Sequence, residues 1–233
     1  MYAPTEQTAG RPGGQIQAVL FDMDGLLVDS EPLWFEAEMA VMDRLDGDWT
    51  HDDQLALFGG SLRKSAAYLL SRGRREATVD EVADWLVGTM AGLVTERELT
   101  LMPGALELLA QVRAAGVPTA LVTSSERVIA QAVLARLDGH GVTFGTTVCA
   151  EDVRNHKPHP EPYQRAASLL GADPARCVAL EDSPNGVAAA EAAGCVTVAV
   201  PGLAAIPDAP GRLVARSLAE LDLATLAGLV AGR

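Results

Sequence analysis

Positive charge is scarce in this chain. Its 233 residues carry 18 Lys and Arg against 31 Asp and Glu, for a formal net charge of −13. A surface of that sign attracts neither nucleic acid nor an anionic membrane, so neither is expected as a partner. A phosphorylated substrate would need a local positive charge against this background. Cysteine is scarce too. Cys149, Cys177 and Cys195 are widely spaced, and no Cys-x-x-Cys occurs. Cys177 and Cys195 each begin an apolar run, so the thiols read as buried and reduced, and a reducing cytoplasm is the expected compartment. No stretch of 18 uninterrupted apolar residues is present, which argues against a membrane span. The opening MYAPTEQTAGRPGGQ has no apolar signal core. It is rich in Gly, Pro and polar residues and reads as a flexible tail over residues 1–14. Internal repeats are also missing, and a monomer is the default expectation.

Apolar residues make up 48% of the chain, enough for one large domain or a core domain with an insert. Five short apolar runs look like buried parallel strands: QAVLF before Asp22, PTALVT (118–123), TTVCA (146–150), CVALE (177–181) and CVTVAV (195–200). Strands buried on both faces read as continuous apolar runs rather than alternating ones. Helical patterns lie between or before them, at 103–116, 125–139, 160–171 and 183–194, and each ends at glycine. Strand alternating with helix predicts an α/β fold with a doubly wound parallel sheet. Residues 30–99 break the rhythm. They hold four amphipathic helical patterns and no convincing strand, which predicts an all-helical insert. The core is then 15–29 with 100–233, and the hinges fall near Val28 and Thr100.

Ligands of open parallel sheets bind outside the carboxyl ends of the strands. Polar groups gather there. The first strand ends in Asp22 and Asp24, the second in Thr123, Ser124 and Ser125, and the fourth in Glu181, Asp182 and Ser183. Lys157 sits in the loop after the third. Adjacent strands are only about 5 Å apart, so these groups can converge. Three or four carboxylates around one point need a hard cation, and Mg2+ fits best. With such an ion bound, one carboxylate can attack a phosphoryl group and a second can transfer protons.

The set DMDGLLVDS, LVTSS, HKPHPEPY and VALEDSPNG, in this order with a helical insert after the first, resembles the haloacid dehalogenase superfamily. It is most similar to the small Mg2+-dependent sugar phosphatases and the β-phosphoglucomutases. The likeness runs from about Gln15 onward. It implies a Rossmann-like core and a helical cap. It also implies Asp22 as nucleophile and Asp24 as general acid and base, with the Asp24 backbone carbonyl on the metal. Thr123 and Ser124 would hold the phosphoryl group beside Lys157. Glu181 and Asp182 would complete the metal site, Asp182 directly and Glu181 directly or through water. The Lys157–Pro158 bond is a cis candidate. The expected activity is Mg2+-dependent hydrolysis of a small sugar or sugar-like phosphate monoester through an aspartyl phosphate.

The presence of Asp24 separates this pattern from the dehalogenases, which lack it. A β-phosphoglucomutase-like phosphomutase is the alternative. Those enzymes carry a histidine about ten residues beyond the acid/base aspartate, where Trp34 stands here, and DSEPLW resembles the hexose-phosphate phosphatases instead. A non-catalytic phospho-accepting regulatory protein is the remaining alternative. In the insert, GGSLRKS (59–65) resembles a substrate-facing cap loop, which makes Arg63 and Lys64 candidates for specificity; the other reading is solvated helix charges. Trp34 is a further candidate because it follows the catalytic loop closely, whereas Trp49 and Trp85 read as cap core. His156 and His159 read as loop residues at the cleft mouth, and Asp29 as structural.

Overall fold

The computed structural model describes residues 16–57 and 60–232. The expected tail over 1–14 lies outside the described residues. Six parallel strands form one sheet: β1 (Ala18–Phe21), β2 (Thr119–Val122), β3 (Thr146–Val148), β4 (Cys177–Glu181), β5 (Val196–Ala199) and β6 (Arg212–Val214). Their order is β3-β2-β1-β4-β5-β6, so the chain winds outward in one direction, then returns to start again beside β1. That reversal between β1 and β4 is where such sheets leave a crevice.

The strands alternate across two apolar layers. Val19 and Phe21 of β1 face one cluster, with residues of α5 (Ala105–Ala114), α6 (Arg127–Asp138) and α9 (Leu223–Ala231). Ala18 and Leu20 face the other, against α7 (Glu161–Leu169) and α8 (Pro184–Ala192). Covering both faces is why the central strands β1, β2, β4 and β5 are mostly apolar along both faces.

Between β1 and α5 run α1 (Glu31–Arg44), α2 (His51–Leu57), α3 (Leu62–Arg72) and α4 (Val79–Glu96). Thr78 and Glu81 start α4 with reciprocal side-chain to backbone bonds of 3.2 and 2.8 Å. α4 packs on α1 and α3 and reaches α6. The insert and the sheet therefore share one apolar cluster, in which Leu33, Leu69, Leu86 and Met90 join Val19 and Phe21. The two chain crossings pair with each other: Asp29 N–H donates to Thr100 O at 2.9 Å, and Met102 N–H to Leu27 O at 2.9 Å.

Several boundaries differ from the sequence expectation. α6 begins at Arg127 rather than Ser125, because the Ser125 side chain is bonded elsewhere and the Arg127 amide is received by the Glu151 carboxylate at 3.0 Å. β3 stops at Val148, where Cys149 turns into a short helical turn closed by Asp152 at 2.9 Å. β6 and α9 were not expected at all. No helix among the described residues is long and apolar enough to cross a membrane.

Candidate functional site

Phe21 pairs with Leu121 on β2 and with Leu180 on β4. The residues just beyond that row are Asp22, Thr123 and the Glu181–Asp182 pair, so three strand ends meet on one rim. The loop after β3 brings in Lys157 through a cis Lys157–Pro158 bond. Lys157 Nζ donates to Asp22 Oδ1 at 2.5 Å, to Glu181 Oε1 at 2.5 Å and to the Val122 carbonyl at 2.9 Å. The ammonium is nearly buried. Burial would weaken its hold on the proton, but Asp22 and Glu181 outweigh that and keep it well above the ordinary lysine value.

Carboxylate oxygens of Asp22, Glu181 and Asp182 lie within 4.8 Å of one another. Burial, then the charges of neighbouring acids, pushes the Asp22 and Asp182 carboxyls up. Three acids facing one ammonium leave an excess of negative charge in a dry place. A divalent cation with oxygen ligands would offset it, and the donor set fits a hard ion such as Mg2+. Glu181 has the least to offer such an ion. Its Oε1 accepts from Lys157 and from Tyr163 Oη at 2.5 Å, and its Oε2 from Ser183 Oγ at 3.3 Å. Gly25 turns the β1 loop at φ 76°, and a Cβ there would strike the Asp182 carboxylate. Gly186 plays the same part against the Glu181 carboxylate.

Asp24 stands apart from this cluster. Its Oδ1 accepts from Ser30 Oγ at 2.7 Å and from Trp34 Nε1 at 3.3 Å. Its Oδ2 accepts from Ser125 Oγ at 2.7 Å, with Thr123 Oγ1 at 3.5 Å. Thr123 Oγ1 also accepts the Ser125 amide at 2.9 Å, closing the turn after β2. The two aspartates, two residues apart, thus face different partners.

Asp22, Asp24, Trp34, Thr123, Ser124, Lys157 and Asp182 line one cleft. Arg63 and Lys64 do not. Leu62 and Ser65 take the cleft side of α3, and at helical spacing the two residues between them point elsewhere. Arg63 instead pairs with Asp80 on the surface at 2.6 Å, both about three-quarters exposed. His156 and His159 are exposed and are not among the lining residues. Trp49 and Trp85 pack on the apolar cluster of the insert, as expected.

Sequence reasoning missed Ser30, Ser125 and Tyr163 as partners of the acids. The motifs DSEPLW and LVTSS contained the two serines, but neither pattern shows the contact: Ser30 reaches back six residues to Asp24, and Ser125 reaches it across 101. It also missed Glu31, Glu38, Gln54 and Glu126, which line the same cleft. Burial raises Glu31, Glu38 and Glu126 to about 7 each. Glu38 is only 5% exposed, and its Oε2 accepts from Trp49 Nε1 at 3.0 Å. A carboxyl that titrates near 4.5 unfolded and about 7 folded binds more protons in the folded state between those values. Stability is then greatest below about 4.5 and declines as pH rises through 7, by a total on the order of 3 kcal/mol for Glu38. Glu38→Gln is expected to raise the urea midpoint at pH 8 and leave it nearly unchanged at pH 4.5. An equal shift at both values would contradict the burial argument.

A switch-point cleft with a buried acidic cluster and a lysine, roofed by a helical insert on a parallel sheet, defines an α/β enzyme core that carries an inserted helical unit. Residues 16–194 match the model of the haloacid dehalogenase-like hydrolases, and the chain belongs to that family. It is 37% identical to hexitol phosphatase B of Escherichia coli (strain K12), over 93% of this chain and 96% of that protein. It superposes on CbbY from Rhodobacter sphaeroides in complex with phosphate, with a TM-score of 0.80 and 28% identity, over 91% of this chain and 99% of that one. A mutant of the same enzyme in complex with xylulose-(1,5)bisphosphate gives a TM-score of 0.78 at 28% identity, with the same shares covered.

Proposed function

We propose that this protein is a Mg2+-dependent phosphatase that hydrolyses a sugar or sugar-like phosphate monoester through a phosphoryl-Asp22 intermediate. The observation that carries the reading is the division of labour between the two aspartates. Asp22 joins the Glu181–Asp182 cluster beside Lys157, whereas Asp24 is held away from it by Ser30, Trp34 and Ser125. The name of the relative hexitol phosphatase B, and the phosphate and xylulose-(1,5)bisphosphate bound in the CbbY structures, support the phosphate-ester class.

Asp22 and Asp182 would hold the ion by their side chains and Asp24 by its backbone carbonyl, with Glu181 supporting from behind. Bound there, Mg2+ supplies charge stabilisation to the transferring phosphoryl group. Lys157 holds Asp22 Oδ1 and fixes the direction of its second oxygen. That oxygen attacks phosphorus; the Asp22–phosphorus bond forms and the bond to the ester oxygen breaks. Asp24 gives its proton to the departing oxygen. It then takes a proton from water, whose oxygen attacks phosphorus and releases Asp22 and inorganic phosphate. Thr123 Oγ and the Ser124 amide stand at the rim to hold phosphate oxygens. The mutase alternative has no support at the position that would distinguish it, since Trp34 gives its indole N–H to Asp24.

A phosphate-release screen over sugar phosphates, hexitol phosphates and nucleotides tests the proposal. Release is expected with Mg2+, abolished by EDTA and restored by added Mg2+. Undiminished turnover in EDTA, or no turnover of any ester, would falsify it.

A further inference from the structure

The cleft has two sets of lining residues of different chemistry. The sheet and its loops contribute Asp22, Thr123, Lys157 and Asp182. The insert contributes Glu31, Trp34 and Glu38 of α1 and Gln54 of α2. We propose that the wall formed by Glu31, Glu38 and Gln54 selects substrates whose body is an uncharged polyol and rejects those bearing a second anionic group. The inference rests on the phosphatase reading above and narrows it to a substrate class.

Hydrogen-bond inventory is the first support. Gln54 Nε2 donates to the Glu31 carbonyl at 2.9 Å and to Glu31 Oε2 at 3.4 Å. Trp49 takes Glu38 Oε2. Both glutamates line the cleft, and the side-chain bonds they accept among the described residues go to Oε2. A carboxylate oxygen needs a donor. Hydroxyls supply donors; a second phosphate or a carboxylate supplies none and adds like charge.

The absence of a counter-charge is the second support. Lys157 is the one cation among the described residues lining the cleft, and its three N–H groups are already spent on Asp22, Glu181 and the Val122 carbonyl. Arg63, which could have met a distal anion, is paired with Asp80 on the surface. Trp34 is spent on Asp24. A distal anion would therefore meet Glu31 and Glu38 with nothing to offset them. Burial that lifts both glutamates to about 7 suits a neutral body better than an ammonium, since it leaves part of the wall uncharged near neutrality.

A matched pair tests this: a hexitol 6-phosphate and 6-phosphogluconate, which differ only in whether the far carbon is a hydroxymethyl or a carboxylate. Fructose 1,6-bisphosphate, glucosamine 6-phosphate and 4-nitrophenyl phosphate complete the panel, all with Mg2+. The wild type is expected to favour the hexitol ester by roughly 100-fold in kcat/KM over 6-phosphogluconate and the bisphosphate. Glu31→Gln with Glu38→Gln should narrow that preference about tenfold. If the double variant does not fold, Glu31→Gln alone, at the first residue of α1, carries the same comparison. Equal kcat/KM within the matched pair, a preference for glucosamine 6-phosphate over the hexitol ester, or a ratio unmoved by the folded variants overturns the inference while aryl phosphate is still hydrolysed. Failure to hydrolyse any ester, 4-nitrophenyl phosphate included, overturns the phosphatase reading and this inference with it.

Discussion

Asp22→Asn is expected to lower phosphate release by roughly 10^4-fold or more, as removal of a covalent nucleophile does elsewhere. The amide keeps the size of the carboxylate, so the packing against β4 and the backbone bond from Asp22 N–H to Leu180 O at 3.1 Å should persist. What disappears is the attacking oxygen and one of the two carboxylates that hold Lys157. Circular dichroism should report a folded protein, and rapid quenching should trap no acylphosphate from a labelled substrate. Substantial residual turnover, or a trapped phosphoenzyme in the variant, would remove Asp22 from its proposed role.

Asp24→Asn should separate the two half-reactions. General acid and base help together contributes about 10^2- to 10^4-fold, most of it for leaving groups that cannot depart as anions. Sugar alkoxides are poor leaving groups, so hydrolysis of a hexitol phosphate should fall across that range. A nitrophenolate leaves without a proton. The variant should therefore release one equivalent of nitrophenolate in a burst and then stall, because water has lost its base at the phosphoryl-Asp22 stage. Ser30 and Ser125 each donate to Asp24 through rotatable hydroxyls, and can turn to accept from an asparagine amide, so the loop should hold. Mg2+ binding should also survive, since the proposed contact is the backbone carbonyl. Steady turnover without a burst, or loss of metal binding, would reassign Asp24.

The two predictions depend on the same geometric fact. Asp22 and Asp24 are two residues apart in the chain but lie in different electrostatic settings. One is crowded by Glu181 and Asp182 and offset by Lys157; the other is solvated by serine hydroxyls and an indole. On the proposed mechanism, that separation would let one carboxylate attack while the other carries protons.

The parallel sheet was legible in the sequence because strands buried on both faces must be apolar throughout, and each apolar run broke at a polar cluster. The same breaks drew attention to Asp22, Asp24, Thr123, Glu181 and Asp182, since ligands of open parallel sheets bind outside the carboxyl ends of the strands, while Lys157 stood in the loop after the third strand. The helical insert showed in its periodicity. β6 escaped notice because a three-residue edge strand carries no pattern, and α9 because LATLAGLVA has no polar face to phase it. Tertiary structure alone decided how the insert meets the sheet. It turned Arg63 outward to Asp80, although its neighbours Leu62 and Ser65 face the cleft. It brought Ser125 across a hundred residues to Asp24, bonded Tyr163 to Glu181, and set Glu31 and Glu38 in the lining of the same cleft as Asp22. Local pattern determines which residues are buried or helical. Which buried acid faces which donor depends on the relative placement of separately formed elements, and a linear pattern does not encode it.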